Sequence, residues 1–188
     1  MAIPASLANQ LSLPVIGSPL FIISNPDLVI AQCKAGVVGS FPSLNARPIE
    51  QLDEWLSRIN EELAAARAAN PAAKIAPYAV NLIVHKSNNR IEEDLALCVK
   101  HKVPIVITSL GARPEVNEAI HSYGGIVLHD IINIVFAHKA LEKGADGLIA
   151  VCAGAGGHAG VLSPVALISE IREFFDGPLA RRTGLVEQ

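Results

Sequence analysis

The sequence has no uninterrupted apolar run near the roughly 20 residues that span a bilayer, although 51% of its 188 residues are hydrophobic. Its first residues have neither the basic segment nor the apolar core of a secretory signal, so we expect a cytoplasmic protein that is not bound to membranes. The formal net charge is −3 and Lys and Arg form no stripe. This charge pattern argues against nucleic acid as a partner.

Cysteine is scarce as well, with Cys33, Cys98 and Cys152 far apart and no CxxC pair. An odd and dispersed set favours reduced thiols over a disulfide framework or a zinc site. Cys33 and Cys98 lie among apolar residues at helical spacing, which predicts buried filling residues. Cys152 adjoins a glycine-rich segment, but no neighbouring residue is of a kind that would lower its thiol pKa. We therefore expect no catalytic thiol there.

Short β-type runs alternate with helical patterns along almost the whole chain. Such alternation predicts βα units, a parallel sheet and right-handed crossovers. The predicted strands begin near residues 14, 37, 76, 104, 126 and 147. The helices predicted between them span 25–36, 48–69, 89–102, 114–124, 133–143 and 164–175.

Six βα units can form an open doubly wound sheet or part of a barrel. The open sheet usually has a GxGxxG turn after its first strand, but the residues here are Gly17-Ser18-Pro19-Leu20. We therefore predict an α/β fold of the TIM (β/α)8-barrel type. A complete barrel needs about 250 residues, so the predicted barrel is incomplete, with about six units present and strands 7 and 8 and their loops missing.

The end of the sequence changes character at Arg181-Arg182-Thr183-Gly184. A charged pair followed by Thr-Gly is not typical of a buried barrel strand. We therefore predict a partial barrel domain over residues 1–180 and an atypical tail over 181–188. A truncated gene product, a frameshifted tail and a fragment all remain open as explanations.

The segment from Cys152 to Gly160 directly follows a predicted strand and contains four glycines. Bare backbone lets a flat ligand approach and offers N–H donors, and barrel enzymes place their active sites at this end of the strands. His158 is the titratable residue of the segment, with an unperturbed pKa of about 6.5 that suits proton transfer at neutral pH. The alternative is a tight turn that His158 only stabilises. No HxH or HxxxH pattern and no GxxxxGK[ST] motif accompanies it, which argues against a metal site and a phosphate loop.

At these residues the sequence resembles the nitronate monooxygenases, formerly called 2-nitropropane dioxygenases, which are FMN-dependent barrel proteins. Ala155-Gly156-Gly157-His158-Ala159-Gly160 matches the family's signature. Weaker matches occur at Pro14 to Leu20, at Ala79-Val80-Asn81-Leu82 and at Gly144-Ala145-Asp146-Gly147. The resemblance extends over residues 12–180.

The resemblance implies an enzyme that binds FMN and uses O2 to convert a nitronate or nitroalkane into a carbonyl compound and nitrite. His158 would remove the α-proton of a neutral nitroalkane, or hold and orient the nitronate. Ser18, Pro19 and Leu20 would lie along the flavin ring through main-chain groups. Asn81 would hydrogen-bond to the ring, and Gly156 and Gly157 would border it.

Several alternatives stay open within this interpretation. Asn81 could instead bridge two strands, and Ser18-Pro19 could be an ordinary turn. His129-Asp130 is expected to face the site, whereas His85 is expected to be a solvated or capping residue. The same fold also accommodates an FMN-dependent NAD(P)H reductase acting on quinones or enoyl thioesters, or an inactive truncated remnant. Since the family holds the FMN phosphate with loops after strands 7 and 8, FMN binding by this chain alone is in question. Exposed sheet edges would favour a homo-oligomer.

Overall fold

The computed structural model describes residues 4–157 and 160–182. Its single sheet has six parallel strands whose order in space follows their order in the chain. The strands are β1 (Gly39–Pro42), β2 (Tyr78–Ile83), β3 (Ile105–Ser109), β4 (Ile126–Ile131), β5 (Gly147–Val151) and β6 (Leu179–Arg182).

The helices are α1 (Ala5–Ala8), α2 (Pro26–Lys34), α3 (Ile49–Ala69), α4 (Ile91–Lys100), α5 (Pro114–His121), α6 (Ile134–Glu142) and α7 (Pro164–Arg172), with a 3₁₀ turn at Ser43–Asn45. Helices α3 to α7 connect successive strands and form an outer layer together with α2, whereas Leu7 of α1 packs against the inner face of the sheet. The predicted helices are confirmed to within a few residues at their ends. Of the helices in the described part of the chain, none is long and apolar enough to cross a bilayer.

The strand order explains why the sheet curls rather than winding in two directions. An open doubly wound sheet reverses its strand order at a switch point, whereas here every strand pairs with the next one along the chain. One apolar cluster fills the inner face, with members from Val38 beside β1 to Ile149 on β5. Two larger clusters join the outer face to the helices. The architecture is an incomplete (β/α)8 barrel, as predicted.

The count of six strands is confirmed, but the set differs at both ends of the sheet. The predicted first strand, residues 14–17, contributes only an isolated bridge between Ile16 and Val38. The prediction that Arg181 and Arg182 lie outside any strand is wrong, because both belong to β6, which pairs with β5. The boundary predicted at residue 180 therefore falls inside a strand.

The charged pair is tolerated because β6 is the last strand of the described sheet. Leu179 packs against the helices and Ala180 against the inner cluster, so two apolar side chains anchor the strand. Arg181 is exposed and Arg182 is half-buried. Charged side chains are common on edge strands, where solvent reaches them.

Candidate active site

Four polar side chains lie on the inner face near the carboxyl ends of the strands. They are Asn81 on β2, Ser109 on β3, Asp130 on β4 and Arg182 on β6. Each lies two residues after a member or neighbour of the inner apolar cluster, and side chains two apart on a strand share a face. We call this end of the partial barrel, bordered by these four residues, the mouth.

A continuous hydrogen-bond chain joins three of these residues across three strands. Asn81 Nδ2 donates to the Ile107 carbonyl at 3.0 Å and to Ser109 Oγ at 2.8 Å. Ser109 Oγ donates to Asp130 Oδ2 at 2.8 Å. The side-chain nitrogen of Asn81 therefore bridges β2 and β3, which was the alternative considered for this residue. No group in the described residues donates to its Oδ1, which leaves this oxygen available as an acceptor.

Asp130 is the acidic member of the chain. Burial raises the pKa of its carboxyl above the ordinary value, while the Ser109 hydroxyl and the charge of Arg182 act in the opposite direction. Desolvation penalises the charged form, and a donor or a nearby cation favours it. Asp130 is therefore a carboxyl whose protonation depends on both its burial and its polar neighbours.

His129 does not face the mouth, which corrects the expectation for the His129-Asp130 pair. It lies between Val127 and Ile131, which both pack against helices, and its Nδ1 is 2.6 Å from Thr108 Oγ1. Burial lowers the pKa of His129 to about 4, helped by the charge of Lys143. Strand alternation therefore directs Asp130 inward and His129 outward.

The glycine-rich segment follows β5 and lies beside the mouth. Gly156 and Gly157 are exposed, and Gly157 has φ 72°. A Cβ placed on Gly157 would lie 3.4 Å from Arg182 Nη2. A Cβ on Gly160 would overlap the carbonyl oxygen of Val151, so no larger residue fits without a backbone shift. The predicted catalytic residue His158 lies outside the described residues.

The turn after residue 17 is fixed by Asn45 of the 3₁₀ turn. Asn45 Nδ2 donates to the carbonyls of Leu20 and Ser24 at 2.9 Å, and its Oδ1 accepts from the Ile22 N–H at 3.1 Å. The Leu20 N–H donates to Ser24 Oγ at 2.9 Å. Both main-chain groups of Leu20 are therefore engaged within the turn. Contact with a flavin would have to come from its side chain, which is 43% exposed.

Large hydrophobic side chains are exposed in the loops and first helical turns that follow the strands and the bridge at Ile16, and we call them the apolar rim. They are Leu20, Phe21, Ile22, Ile23, Leu110, Ile132, Val135, Phe136, Val161, Leu162 and Val165. Exposed apolar patches commonly mark binding regions. The rim therefore belongs with the polar chain in the candidate site.

The thiols are not part of this site. All three cysteines are buried, and burial raises the pKa of Cys33 to about 11 and raises that of Cys152 as well. A buried neutral thiol is a poor nucleophile because the thiolate is the reactive form. The expectation that Cys152 is not catalytic is consistent with this environment.

The sequence interpretation did not identify Ser109 or Arg182 as site residues. Ser109 ends β3, and the strand predicted to begin near residue 104 carried no sign of a site, while Arg182 lay in the predicted tail. Counting alternate positions from the inner apolar residues Ile107 and Ala180 would have placed both on the inner face. The sequence does not show whether the odd-numbered or the even-numbered residues of a strand face inward, because this depends on how the helices pack against the sheet.

Comparison with known proteins supports a relationship at the level of sequence. A family model described as nitronate monooxygenase matches residues 6–187. A nitronate monooxygenase of Neurospora crassa is 25% identical over 196 residues, in an alignment covering 92% of this chain and 51% of the relative. The chain therefore spans about half the length of that relative.

Solved structures show the same fold at lower identity. Nitroalkane oxidase from Streptomyces ansochromogenes has a TM-score of 0.79 and 19% identity, with 94% of this chain and 60% of that chain covered. FabK from Thermotoga maritima has a TM-score of 0.77 and 20% identity, with 96% of this chain and 54% of that chain covered. These likenesses extend the fold relationship to proteins that are longer than this chain.

Proposed function

The chain belongs to the nitronate monooxygenase family, and on that premise we propose that it acts as a flavin-dependent oxidoreductase. We propose further that the flavin is FMN and that the reaction converts nitronates or neutral nitroalkanes into carbonyl compounds and nitrite with O2. A nitronate monooxygenase and a nitroalkane oxidase among the similar proteins support this choice.

The observation that carries the proposal is the unpaired acceptor oxygen of Asn81 at the mouth that the glycine-rich segment also borders. Both N–H groups of Asn81 are engaged, so its Oδ1 is available to accept a hydrogen bond from an N–H at the polar edge of a ring. Gly156 and Gly157 add no side chain that would keep a planar group away. The described residues thus fit the ring of FMN.

Each residue of the proposed site would have a separate role. Asn81 would orient the ring edge, with Gly156 and Gly157 along the ring and Ser18, Pro19 and Leu20 on the other side. FMN, when bound, supplies the electron acceptor and passes electrons on to O2. His158 would take the α-proton of a neutral nitroalkane or hold the nitronate. The apolar rim would exclude water and accept the alkyl part of the substrate.

The first experiment measures whether this chain binds FMN and which donor reduces it. The purified chain is titrated with FMN by fluorescence quenching, and the complex is mixed without oxygen with propane 2-nitronate or with NADH. Loss of the visible flavin absorbance with the nitronate, followed by nitrite release on admitting O2, supports the proposal. Reduction by NADH alone would favour an NAD(P)H-dependent reductase of the same fold, and an absence of FMN binding would favour an inactive remnant.

The second experiment examines His158 with a matched histidine control. His158→Asn should greatly lower turnover of neutral nitroalkanes while FMN stays bound. His85→Asn changes an exposed histidine whose side chain bonds only Ser87 among the described residues, and it should retain activity. Equal rates for wild type and His158→Asn would remove His158 from the mechanism.

A further inference from the structure

The hydrogen-bond chain at the mouth has a fixed direction, which follows from its first member. A carbonyl oxygen can only accept, so the Ile107 carbonyl fixes the NH2 group of Asn81 on that side. The second hydrogen of the NH2 group goes to Ser109 Oγ. Because an NH2 group cannot accept, Ser109 must use its own hydrogen elsewhere, and it donates to Asp130 Oδ2.

This direction determines where a proton can reside on Asp130. Oδ2 already accepts the Ser109 hydrogen, so a proton taken up by the carboxyl is directed to Oδ1. No described residue hydrogen-bonds to Oδ1, and Asp130 is half-buried on the inner face. Oδ1 is therefore the atom of Asp130 that can exchange a proton with a ligand.

Among the described residues of the mouth, Asp130 is the group that can act as an acid or a base. The groups that face it from neighbouring strands are neutral, apolar or cationic. β2 and β3 contribute the neutral Asn81 and Ser109, and β5 contributes the apolar Val151. β6 contributes Arg182, whose guanidinium has hydrogen-bond donors and no acceptor and whose charge lowers the pKa of Asp130. His129 of the same strand points to the helices and bonds Thr108.

We propose that Asp130 is a further proton-exchanging residue of this site, that Oδ1 is the exchanging atom, and that Asn81 and Ser109 are its positioning residues. This inference rests on the proposed function, because that function supplies the substrate, a neutral nitroalkane. The ionised carboxylate accepts the α-proton, so that an O–H bond forms at Oδ1 and the α C–H bond breaks. His158 then has the other of its two proposed roles, which is to hold and orient the nitronate. The electron pair of that bond passes into the nitro group and gives the nitronate.

The surroundings of Asp130 favour this step. Burial raises the pKa of the carboxyl, which makes it a stronger base than an exposed aspartate. Arg182 faces the same mouth, and its charge would offset the negative charge of the nitronate. A base and a cation are thus provided by β4 and β6.

The first test needs no flavin and measures the sign of one pKa change. The chain is labelled with ¹³C at the aspartate side-chain carboxyls, and Asp130→Asn identifies the signal of Asp130. In the wild type this signal should titrate above the ordinary aspartate pKa of about 3.9. Ser109→Ala removes a donor to the carboxylate and should raise the pKa of Asp130 further. Ser57→Ala, which removes a hydroxyl that donates to the main-chain carbonyl of Asp53 on the outer helix α3, should leave it unchanged.

The opposite sign overturns the proposal. If protonated Asp130 donated to Ser109, the hydroxyl would stabilise the neutral carboxyl and its removal would lower the pKa. A fall in pKa in Ser109→Ala, or a wild-type pKa at or below the ordinary value, therefore rules out the proposed direction and the proposed base.

The second test separates proton transfer from binding with the FMN-loaded chain. Asp130→Asn should lower kcat/KM for nitroethane by about 10²-fold, the lower range for loss of an acid–base group. The value for preformed ethyl nitronate should change by less than about threefold, because its proton is already gone. Equal losses with both substrates, or none with nitroethane, would contradict the assignment. If the chain oxidises neither substrate, the proposed function fails, and the Ser109→Ala titration still decides whether Asp130 has the proposed direction and basicity.

Discussion

Thr108 and His129 form a buried hydrogen-bonded pair between β3 and β4, with 2.6 Å between Thr108 Oγ1 and His129 Nδ1. The pair lies on the outer face of the sheet, whereas the next residue on each strand, Ser109 and Asp130, forms the corresponding pair on the inner face. Two neighbouring strands thus carry one polar pair on each face. We expect the outer pair to affect the stability of the fold and the inner pair to affect the candidate site.

Acid should destabilise the fold through His129. Its folded pKa is lowered to about 4 by burial, while the unfolded chain takes up the proton near the ordinary value of about 6.5. Between these values the unfolded state binds more protons, so stability falls as the pH falls, by up to about 3 kcal/mol across the window.

Urea unfolding at pH 7 and at pH 4.5 measures this loss. His129→Gln should lose less stability over that interval than the wild type, because the variant has no imidazole to protonate. The exposed histidine His85, changed to Gln, serves as the control and should follow the wild type. An unchanged pH dependence in His129→Gln would show that another group causes the acid sensitivity.

Two asparagines should stabilise the helices they precede. Asn25 accepts from the Leu28 N–H before α2, and Asn133 accepts from the Phe136 N–H before α6, each at 3.0 Å. Replacing either by Ala removes an N-cap and should lower the free energy of unfolding by about 1 kcal/mol. Asn70→Ala, at the end of α3 where the backbone N–H makes the bond, should cost less. A loss at Asn70 equal to that at the caps would contradict this role.

Much of the fold could be predicted because its signals are local. Leu52, Leu56, Ile59 and Leu63 recur at helical spacing, which is typical of an amphipathic helix such as the one predicted over 48–69, and all four are buried on α3. The apolar run from Ile105 has no alternation, which is typical of a strand covered on both faces, and β3 is buried throughout. Both patterns arise from one element packing against a layer, so the sequence of that element contains the information.

The rest depends on contacts between distant segments. The two arginines of β6 gave no strand signal, since that strand exists through its pairing with β5 and through Leu179 and Ala180. The chain from Asn81 through Ser109 to Asp130 depends on the register of three strands. A single sequence offers no measure of register, so the glycine-rich segment was predicted and the polar chain was not.

Gly160 should be the least replaceable of the described glycines after β5. A Cβ there would overlap the Val151 carbonyl oxygen, whereas one on Gly154 meets nothing within 4 Å. Gly154→Ala should lower the free energy of unfolding only through its φ of 80°, by roughly 1–2 kcal/mol. Gly160→Ala also forces the backbone to move and should lose more stability in urea unfolding. A smaller loss at Gly160 than at Gly154 would mean that the segment relaxes freely around the added methyl.

The turn that follows residue 17 should depend on Asn45 for its order. Asn45 makes three hydrogen bonds to the main chain of Leu20, Ile22 and Ser24, and Ile22 has φ 69°, a conformation that β-branched residues rarely adopt. Each bond contributes about 1 kcal/mol, so Asn45→Ala should weaken the turn while the sheet stays folded. Chymotrypsin cleavage after the exposed Phe21 should then be faster by about 10²-fold, since three bonds together contribute about 3 kcal/mol and each 1.4 kcal/mol is tenfold in the open population.

Asn60→Ala is the matched control for this change. Asn60 donates to the His101 carbonyl between α3 and α4, in the outer layer, so its loss should not speed cleavage at Phe21. If Asn45→Ala leaves the cleavage rate unchanged, the turn is ordered by other contacts, of which the Arg47 guanidinium 5.7 Å from the centre of the Phe21 ring is the first to examine. If cleavage quickens and FMN binding weakens together, the order of this turn contributes to the flavin site. Faster cleavage with unchanged FMN affinity would instead separate the turn from the proposed flavin contacts of Ser18, Pro19 and Leu20.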